Sequence, residues 1–227
     1  MNKVVIFDLD NTFYEYQTTH DYSLRKLFEY QELYEEIEDF LNSYKKAKSQ
    51  VKSIVGDSTS SHNRILYFKK MLENENKDPL KALDLEEKYW EIFINKVVIS
   101  DEIYDLLREL IKQNTVLHLY TNLDTNTQLM KLKKWNLNCF NKVITSEDVG
   151  CEKPGLRFIL EAKNYLDEYY KKSFKFFAIG DDVKNDLEPW KKEYKAETYL
   201  INNKSESDFV DFQLSIEDSL EKIVNQK

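Results

Sequence analysis

The hydrophobic pattern of the chain separates a region of alternating strands and helices from a region of helices alone. From Ser100 onward, short apolar runs alternate with amphipathic segments, and a similar apolar run lies at 4–7. The later apolar runs lie at 115–120, 142–145, 174–179 and 197–201. This alternation is typical of a parallel sheet with helices on both faces. It predicts an α/β fold built on a doubly wound parallel sheet.

Residues 15–96 contain no apolar run of strand type. Apolar side chains there recur at steps of three and four residues, as Ile37 and Phe40 do, which is the spacing of amphipathic helices. Because such helices bury their apolar faces against one another, the segment is predicted to form a helical bundle. We therefore predict two domains: an α/β domain formed by residues 1–14 and 97–227, and an all-helical domain inserted at 15–96.

The first apolar run ends in two carboxylates, Asp8 and Asp10. A strand that is apolar at every position is covered on both faces, and open sheets bind ligands beyond the carboxyl ends of their strands. Carboxylates this close repel each other unless a cation or a shared proton intervenes, and Mg²⁺ is a cation that takes oxygen ligands. The segment therefore predicts a magnesium site. A solvated acidic turn is the alternative interpretation of this segment alone.

A second acidic segment follows the apolar run at 174–179. It reads Gly180-Asp181-Asp182, and Asp186 lies a few residues further on. Since the chain has only four glycines, Gly180 indicates that backbone or an ion approaches closely there. If this strand lies beside the first one, Asp181 completes the oxygen ligands of the same Mg²⁺, and Asp186 orients its waters. A helix N-terminus decorated with acids is the alternative interpretation.

Two further segments carry groups that can bind phosphoryl oxygens. Pro154 is predicted at the first position of a helix, which fixes Lys153 in the preceding turn, where its point charge can bind a phosphoryl oxygen. Thr121 and Asn122 end another predicted strand and offer a hydroxyl and an amide as donors, although Thr-Asn is also ordinary turn chemistry. Because strand ends of an open sheet meet at one crevice, we expect these groups beside the carboxylates.

The composition is that of an acidic globular protein. The chain has 227 residues, of which 41% are hydrophobic and 33% charged, and it is long enough to bury a sizeable core. Its net charge of −8 provides no attraction to nucleic acid or to an anionic membrane surface, so neither is expected as a partner. No apolar stretch approaches the roughly 18 residues of a membrane span. Cys139 and Cys151 form neither a metal-ligand spacing nor a disulfide framework, and we expect a cytoplasmic, reduced protein.

Four segments together resemble the phosphatase branch of the haloacid dehalogenase (HAD) superfamily. They are, in order, Asp8-Leu9-Asp10-Asn11-Thr12, Tyr120-Thr121-Asn122, Lys153-Pro154, and Gly180-Asp181-Asp182 with Asp186. The resemblance implies a Rossmann-like sheet with a movable helical cap that covers the site and is inserted between the first and second motifs. The predicted helices at 15–96 resemble the four-helix type of this cap.

The resemblance also implies roles for the two carboxylates of the first segment. Asp8 is then the nucleophile, and Asp10 is the general acid/base. An ionised carboxylate can attack phosphorus to form an aspartyl-phosphate, which divides one difficult step into two easier ones. Relatives that attack carbon need no second aspartate, so the presence of Asp10 favours phosphoryl chemistry over dehalogenation.

The remaining motif residues are implied to bind the metal and the phosphoryl group. The implied Mg²⁺ ligands are Asp8, the backbone carbonyl of Asp10, and Asp181. The residues implied to surround these ligands are Asp182 and Asp186. The implied phosphoryl binders are Thr121, Asn122 and Lys153.

The predicted enzyme is a Mg²⁺-dependent phosphatase, a phosphoric monoester hydrolase acting on a small ester such as a sugar phosphate or a nucleoside monophosphate. A phosphotransferase or phosphomutase on the same scaffold and a non-catalytic phosphate-binding protein are the alternatives. The resemblance gives the choice of substrate to the cap. The candidate substrate contacts are Tyr14, Tyr16, His20, His62 and Arg64. Packing of aromatic side chains between helices and capping of a helix start are the alternative interpretations of these residues.

Overall fold

The structure is a computed structural model that describes residues 2–56, 58–170 and 174–226. The chain forms two compact units. The α/β unit consists of Met1–Glu15 and Ile99–Lys227, and the helical unit consists of Tyr16–Val98. No helix within the described ranges combines the length and the apolar character that crossing a membrane requires.

The helical unit contains four helices within its described residues. They are α1 (Tyr16–Tyr30), α2 (Ile37–Val55), α3 (Arg64–Asn74) and α4 (Lys81–Lys96). Helix α1 packs against α4, and α2 packs against α3. Large side chains at helical spacing fill the space between them, including the fully buried Phe40, Phe68 and Phe93. A turn of 3-10 helix at Thr59–His62 leads into α3, where the Asn63 side chain caps the helix by accepting the Ile65 N–H.

The α/β unit is organised around one six-stranded sheet in which every strand pair is parallel. Its strands are β1 (Asn2–Phe7), β2 (Val116–Thr121), β3 (Lys142–Thr145), β4 (Phe174–Gly180), β5 (Glu197–Ile201) and β6 (Phe212–Leu214). The strand order is β3-β2-β1-β4-β5-β6. This is the order of a doubly wound sheet, so the predicted fold class is confirmed.

Helices lie between the strands of this sheet, and one further helix follows the last strand. They are α5 (Asp101–Lys112), α6 (Thr125–Lys134), α7 (Ser146–Val149), α8 (Leu156–Tyr169), α9 (Glu188–Tyr194) and α10 (Ile216–Val224). One turn of π-helix, Val183–Leu187, lies between β4 and α9. Aromatic and aliphatic side chains of α8 and α9 form one core cluster with those of the sheet, in which Phe158 of α8 and Trp190 of α9 are almost completely buried.

The position of β1 decides where the functional groups lie. It is the central strand, and its residues from Lys3 to Phe7 are all buried. Sequence order runs one way from β1 to β2 and β3, and the other way from β1 to β4, β5 and β6. A ligand crevice is expected at such a reversal, outside the carboxyl ends of the two strands, because the connections leave in opposite directions there. The crevice expected from this order lies between the ends of β1 and β4.

Two local features differ from the prediction. Pro154 is not the first residue of a helix, because α8 begins at Leu156 and Gly155 precedes it. A turn closes first, with the Gly155 N–H donating to the Glu152 carbonyl over 2.7 Å. A Cβ at Gly155 would lie 2.6 Å from that carbonyl oxygen, so the glycine permits this turn. Strand β6 was not predicted, because it has only three residues and none of them is fully buried.

Candidate active site

Asp8 continues directly from the central strand. Its backbone N–H donates to the Ile179 carbonyl over 3.0 Å, so the pairing of β1 with β4 extends to this residue. The chain then turns, with the Phe13 N–H bonded to the Leu9 carbonyl and Asn11 in the left-handed region at φ 64°. The Asp8 side chain is buried at the start of this turn. The local structure therefore fixes one carboxylate at the end of β1.

Lys153 links the ends of β1 and β2 to the π-helical turn after β4 through its ammonium group. Its Nζ lies 2.7 Å from Asp8 Oδ1, 2.7 Å from Asp186 Oδ1 and 2.7 Å from the Tyr120 carbonyl oxygen. Only 3% of its side chain is exposed. Three acceptors satisfy the three N–H donors of an ammonium group, which is how such a charge can be buried. Its backbone is held too, since the Lys153 N–H donates to Asn122 Oδ1 over 2.8 Å.

Three carboxylates lie together beside this lysine. Oxygen atoms of Asp8, Asp181 and Asp186 all lie within 4.8 Å of one another. Asp186, predicted at the periphery, thus has its carboxylate in the cluster itself. A set of oxygen donors from three acidic residues has the chemistry that Mg²⁺ takes, so the residues present fit this ion.

Gly180 permits this clustering. A Cβ at this position would lie 2.3 Å from the Asp186 Cβ and 2.6 Å from its Oδ2. The close approach predicted for Gly180 is confirmed, but the approaching group is the Asp186 side chain and not the backbone or ion that was predicted. The carboxylate is held there by the Asp182 N–H, which donates to Oδ2 over 3.0 Å. The Asp182 side chain accepts the Asn185 N–H over 2.8 Å and caps the π-helical turn.

Burial and mutual repulsion dominate the electrostatics of the cluster. Burial raises the pKa of Asp8 to about 7, against the attraction of Lys153. Burial, together with the charge of Asp8, raises the pKa of Asp181 to about 6, and burial also raises the pKa of Asp186. Burial disfavours the charged form of Lys153, but the negative charges of Asp186 and Asp8 outweigh the effect of burial and raise the lysine pKa. One ammonium therefore does not neutralise three carboxylates, and a divalent cation would hold them ionised.

Asp10 lies outside the cluster of three carboxylates and is bound by its own group of polar side chains. Lys131 Nζ donates to Asp10 Oδ1 over 2.7 Å, Gln128 Nε2 donates to Oδ2 over 3.0 Å, and the Tyr14 hydroxyl also donates to Oδ1. Burial raises the pKa of Asp10, but the charge of Lys131 and the three hydrogen bonds outweigh it and hold that pKa below its usual value. The first-segment carboxylates thus differ: Asp8 is crowded by acids, and Asp10 is held by donors.

Gln128 and Lys131 were not predicted. Both are fully buried on α6, which starts shortly after Thr121. A Gln and a Lys three residues apart lie on the same face of a helix, and this spacing was the available signal. Gln128 Nε2 also donates to Thr121 Oγ1 over 2.7 Å, so the predicted phosphoryl binder Thr121 is part of the same hydrogen-bond set.

The candidate substrate contacts divide between the two units. Tyr14 belongs to the α/β unit, whereas Tyr16, His20, His62 and Arg64 belong to the helical unit. The His20 ring is buried, with Nδ1 2.6 Å from the Tyr89 hydroxyl oxygen, and burial lowers its pKa to about 4. These features are those of a neutral packing residue.

Arg64 is a buried cation among aromatic rings. Its guanidinium donates to the His62 carbonyl and to the Tyr16 hydroxyl, which are neutral oxygens. Its Cζ lies 5.3–5.9 Å from the centroids of four rings in the helical unit: Tyr16, Tyr67, Tyr89 and Trp90. Its Nε has no hydrogen-bond partner within the described part of the chain. Rings and neutral oxygens stabilise a guanidinium but leave its charge in place.

Comparisons with known proteins agree with this architecture. The family model described as "haloacid dehalogenase-like hydrolase" matches residues 2–192. A ribulose-1,5-bisphosphate 5-phosphatase of Halopiger xanaduensis is 32% identical over 214 residues, which cover 92% of this chain and 88% of that protein. The crystal structure of the HAD-hydrolase YfnB of Bacillus subtilis bound to magnesium has a TM-score of 0.69 at 21% identity and 99% coverage of both chains. A HAD phosphatase of Thermococcus onnurineus has a TM-score of 0.64 at 22% identity and 98% coverage of both chains. The chain belongs to the haloacid dehalogenase-like hydrolase family.

Proposed function

We propose that this chain is a Mg²⁺-dependent phosphatase that hydrolyses a small phosphate monoester through an aspartyl-phosphate on Asp8. One observation carries the proposal. At the ends of β1 and β4, a buried ammonium bonds Asp8 and Asp186 while Asp181 completes a group of three carboxylates. A nucleophilic carboxylate, a cation that can bind a phosphoryl oxygen, and oxygen donors for a divalent ion are thus neighbours. These are the elements that phosphoryl transfer requires.

The chain's own residues account for both halves of the reaction. An Asp8 oxygen attacks phosphorus, the bond from phosphorus to the leaving oxygen breaks, and Asp10 gives a proton to that oxygen. Because its neighbours hold the pKa of Asp10 below the usual value, Asp10 takes up this proton only once the negative charge of the bound phosphoryl group lies beside it. Asp10, now ionised, takes a proton from a water that attacks phosphorus. The bond between phosphorus and the Asp8 oxygen then breaks, which releases inorganic phosphate and restores the Asp8 carboxylate.

The proposed metal ligands are Asp8, Asp181 and the backbone carbonyl of Asp10, with Asp186 beside them. When bound, Mg²⁺ neutralises phosphoryl oxygens and orients them for in-line attack. The proposal is supported by the clustering of the carboxylates and by their raised pKa values, which a divalent charge would reverse. Lys153 and Thr121 are proposed to bind the phosphoryl oxygens, Lys153 by exchanging one of its three present acceptors for a phosphoryl oxygen, while Asn122 holds the backbone of Lys153.

Removal of the metal tests this function. In EDTA, we expect phosphate release from p-nitrophenyl phosphate to fall at least about 10²-fold, because several kcal/mol of charge stabilisation is lost. Added Mg²⁺ should restore it. Mg²⁺ should also raise the melting temperature of the wild type by mass action, and raise it less in Asp181→Asn. Full activity in EDTA would contradict the proposal. Recovery of a phosphorylated acceptor in place of inorganic phosphate would indicate a phosphotransferase.

Among small monoesters, we propose a sugar phosphate that carries a second anionic group. The relative from Halopiger xanaduensis is named as acting on a sugar bisphosphate. In this chain, Arg64 is buried at the first position of α3 with neutral oxygens as hydrogen-bond partners. A cation at a helix N-terminus is disfavoured by the helix dipole, and an anion there is favoured. Arg64 is therefore the proposed contact in the helical unit for the second anionic group.

Replacement of Arg64 tests the substrate class. With Arg64→Gln, we expect the KM for a sugar bisphosphate to rise by about tenfold or more, because a buried charge–charge contact is lost. The KM for p-nitrophenyl phosphate, which has no second anionic group, should stay unchanged. Arg25→Gln, at an exposed position of α1, is the matched control. An equal change of KM for both substrates would contradict this role of Arg64.

A further inference from the structure

We propose that Gln128 and Lys131 of α6 are positioning residues that hold Asp10 and Thr121 in the arrangement needed for departure of a poor leaving group. This inference rests on the proposed phosphatase function. The two residues lie outside the four sequence motifs but make direct hydrogen bonds to two motif residues, Asp10 and Thr121.

Lys131 is buried in full, with 0% exposure, and its ammonium lies 2.7 Å from Asp10 Oδ1. Burying an ammonium costs several kcal/mol before its partners repay that cost, so an apolar side chain would serve packing better at this helix position. The Asp10 side chain itself is 20% exposed, so it is less completely buried than the lysine that holds one of its oxygens. A partly exposed carboxylate that a buried lysine holds in place can meet a substrate from a fixed position.

Gln128 fixes the other Asp10 oxygen and the phosphoryl binder together. Its Nε2 shares two hydrogens among three acceptors: Asp10 Oδ2 at 3.0 Å, Thr121 Oγ1 at 2.7 Å and the Asn122 carbonyl oxygen at 2.7 Å. The reversed amide would place Oε1 against a carboxylate and a carbonyl oxygen, so these acceptors determine its orientation. Gln128 Oε1 is buried and has no hydrogen-bond partner among the residues that the structure describes. Because Oε1 lacks such a partner, the hydrogen bonds of Nε2 alone orient this amide.

The contact with Gln128 also directs the Thr121 hydroxyl. Because Oγ1 accepts the Gln128 N–H, its own hydrogen must point to another acceptor. In the structure this acceptor is the Asn122 carbonyl, over a long 3.3 Å. A charged phosphoryl oxygen would be the stronger acceptor, so Thr121 is poised to donate to it.

Helix α6 gives both positioning residues one rigid support. It starts directly after the loop that follows β2, with Asp124 capping the Thr127 N–H over 2.8 Å. Gln128 and Lys131 lie three residues apart and therefore on one face. The helix thus ties the loop after β1, which carries Asp10, to the end of β2, which carries Thr121. Movement of either group relative to the other would break at least one of these bonds.

Leaving-group dependence tests this inference. An alkyl phosphate such as a sugar phosphate needs a proton on its leaving oxygen, whereas p-nitrophenolate leaves readily without one. The ratio kcat/KM reports steps up to formation of the aspartyl-phosphate. With Lys131→Met, we expect kcat/KM to fall by about 10²-fold for the alkyl ester, which is the lower range of general acid catalysis, and to stay near wild type for p-nitrophenyl phosphate. Lys131→Arg should recover part of the loss.

The same substitution in an Asp10→Asn variant distinguishes a positioning role of Lys131 from a role in folding. In Asp10→Asn, Lys131→Met should have little further effect on the alkyl ester, because the two residues act as one unit. Lys133→Met, exposed on the same helix, should resemble the wild type. Equal losses for both substrates, or additive losses in the double variant, would overturn the inference. If wild-type enzyme released phosphate from neither ester, the proposed function would fail before any variant was compared.

Gln128→Met provides an independent test of the inference. It removes the donor to Thr121 as well as the donor to Asp10, so KM should rise for both substrates, and kcat/KM should fall further for the alkyl ester than for p-nitrophenyl phosphate. An unchanged KM for both would overturn the part of the inference that concerns Thr121.

Discussion

Asp8→Asn should reduce phosphate release by roughly 10⁴-fold or more, as expected when a nucleophile that acts in concert with other groups is removed. The amide has nearly the size of the carboxylate but is a far weaker nucleophile, so the aspartyl-phosphate does not form. The measurement is release of inorganic phosphate at saturating Mg²⁺, with thermal denaturation to show that the variant folds.

The control for this variant is Asp105→Asn, an exposed aspartate of α5 whose side chain is 70% accessible. In the wild type, mass spectrometry of acid-quenched enzyme should find a phosphoryl group on the peptide that contains Asp8. Retention of wild-type turnover by Asp8→Asn would refute the assignment of the nucleophile.

Lys153→Met should affect both stability and activity. It leaves Asp8 and Asp186 buried without their shared ammonium, and loss of one partner of a buried ion pair typically lowers the free energy of unfolding by about 3–5 kcal/mol. Because Lys153 is also proposed to bind the phosphoryl group, turnover should fall even where the variant is folded. Urea denaturation in EDTA and in Mg²⁺ measures the first effect, and phosphate release measures the second.

Mg²⁺ should restore more stability to Lys153→Met than it adds to the wild type, because the divalent ion replaces part of the missing positive charge. Lys184→Met is the matched control, since Lys184 is an exposed lysine of the π-helical turn. A variant as stable and as active as the wild type would show that Lys153 neither neutralises the acids nor binds substrate.

The sheet and the acidic segments could be predicted because they depend on local pattern. An apolar run that ends in a carboxylate predicts both a buried strand and a polar group at its end, and this reasoning covers Asp8 and Asp181. Gly180 was informative because glycine is rare in this chain, and its missing Cβ leaves room for the Asp186 side chain. These signals lie within a few residues of the groups that they position.

The features that escaped prediction depend on contacts between distant segments. Lys131 has the sequence of a solvent-facing helical lysine, and only the packing of α6 beside Asp10 makes it a buried ion-pair partner. Pro154 matches the start of a helix in sequence, but the turn that closes at Gly155 occupies that place. Burial of a polar side chain and the choice between turn and helix are both decided by tertiary context.

The central place of β1 has a consequence for how activity is acquired during folding. Val4 pairs with Val116 on one side and with Phe176 on the other, so both neighbours of the earliest strand come from far later in the chain. Pairings that close such long loops are slow, whereas helices form from local contacts. Catalytic competence should therefore appear late in refolding, after helical signal has recovered, because Asp8, Lys153 and Asp186 come together only once β2 and β4 have paired with β1. The time at which enzyme activity returns during refolding would then report when the sheet is completed.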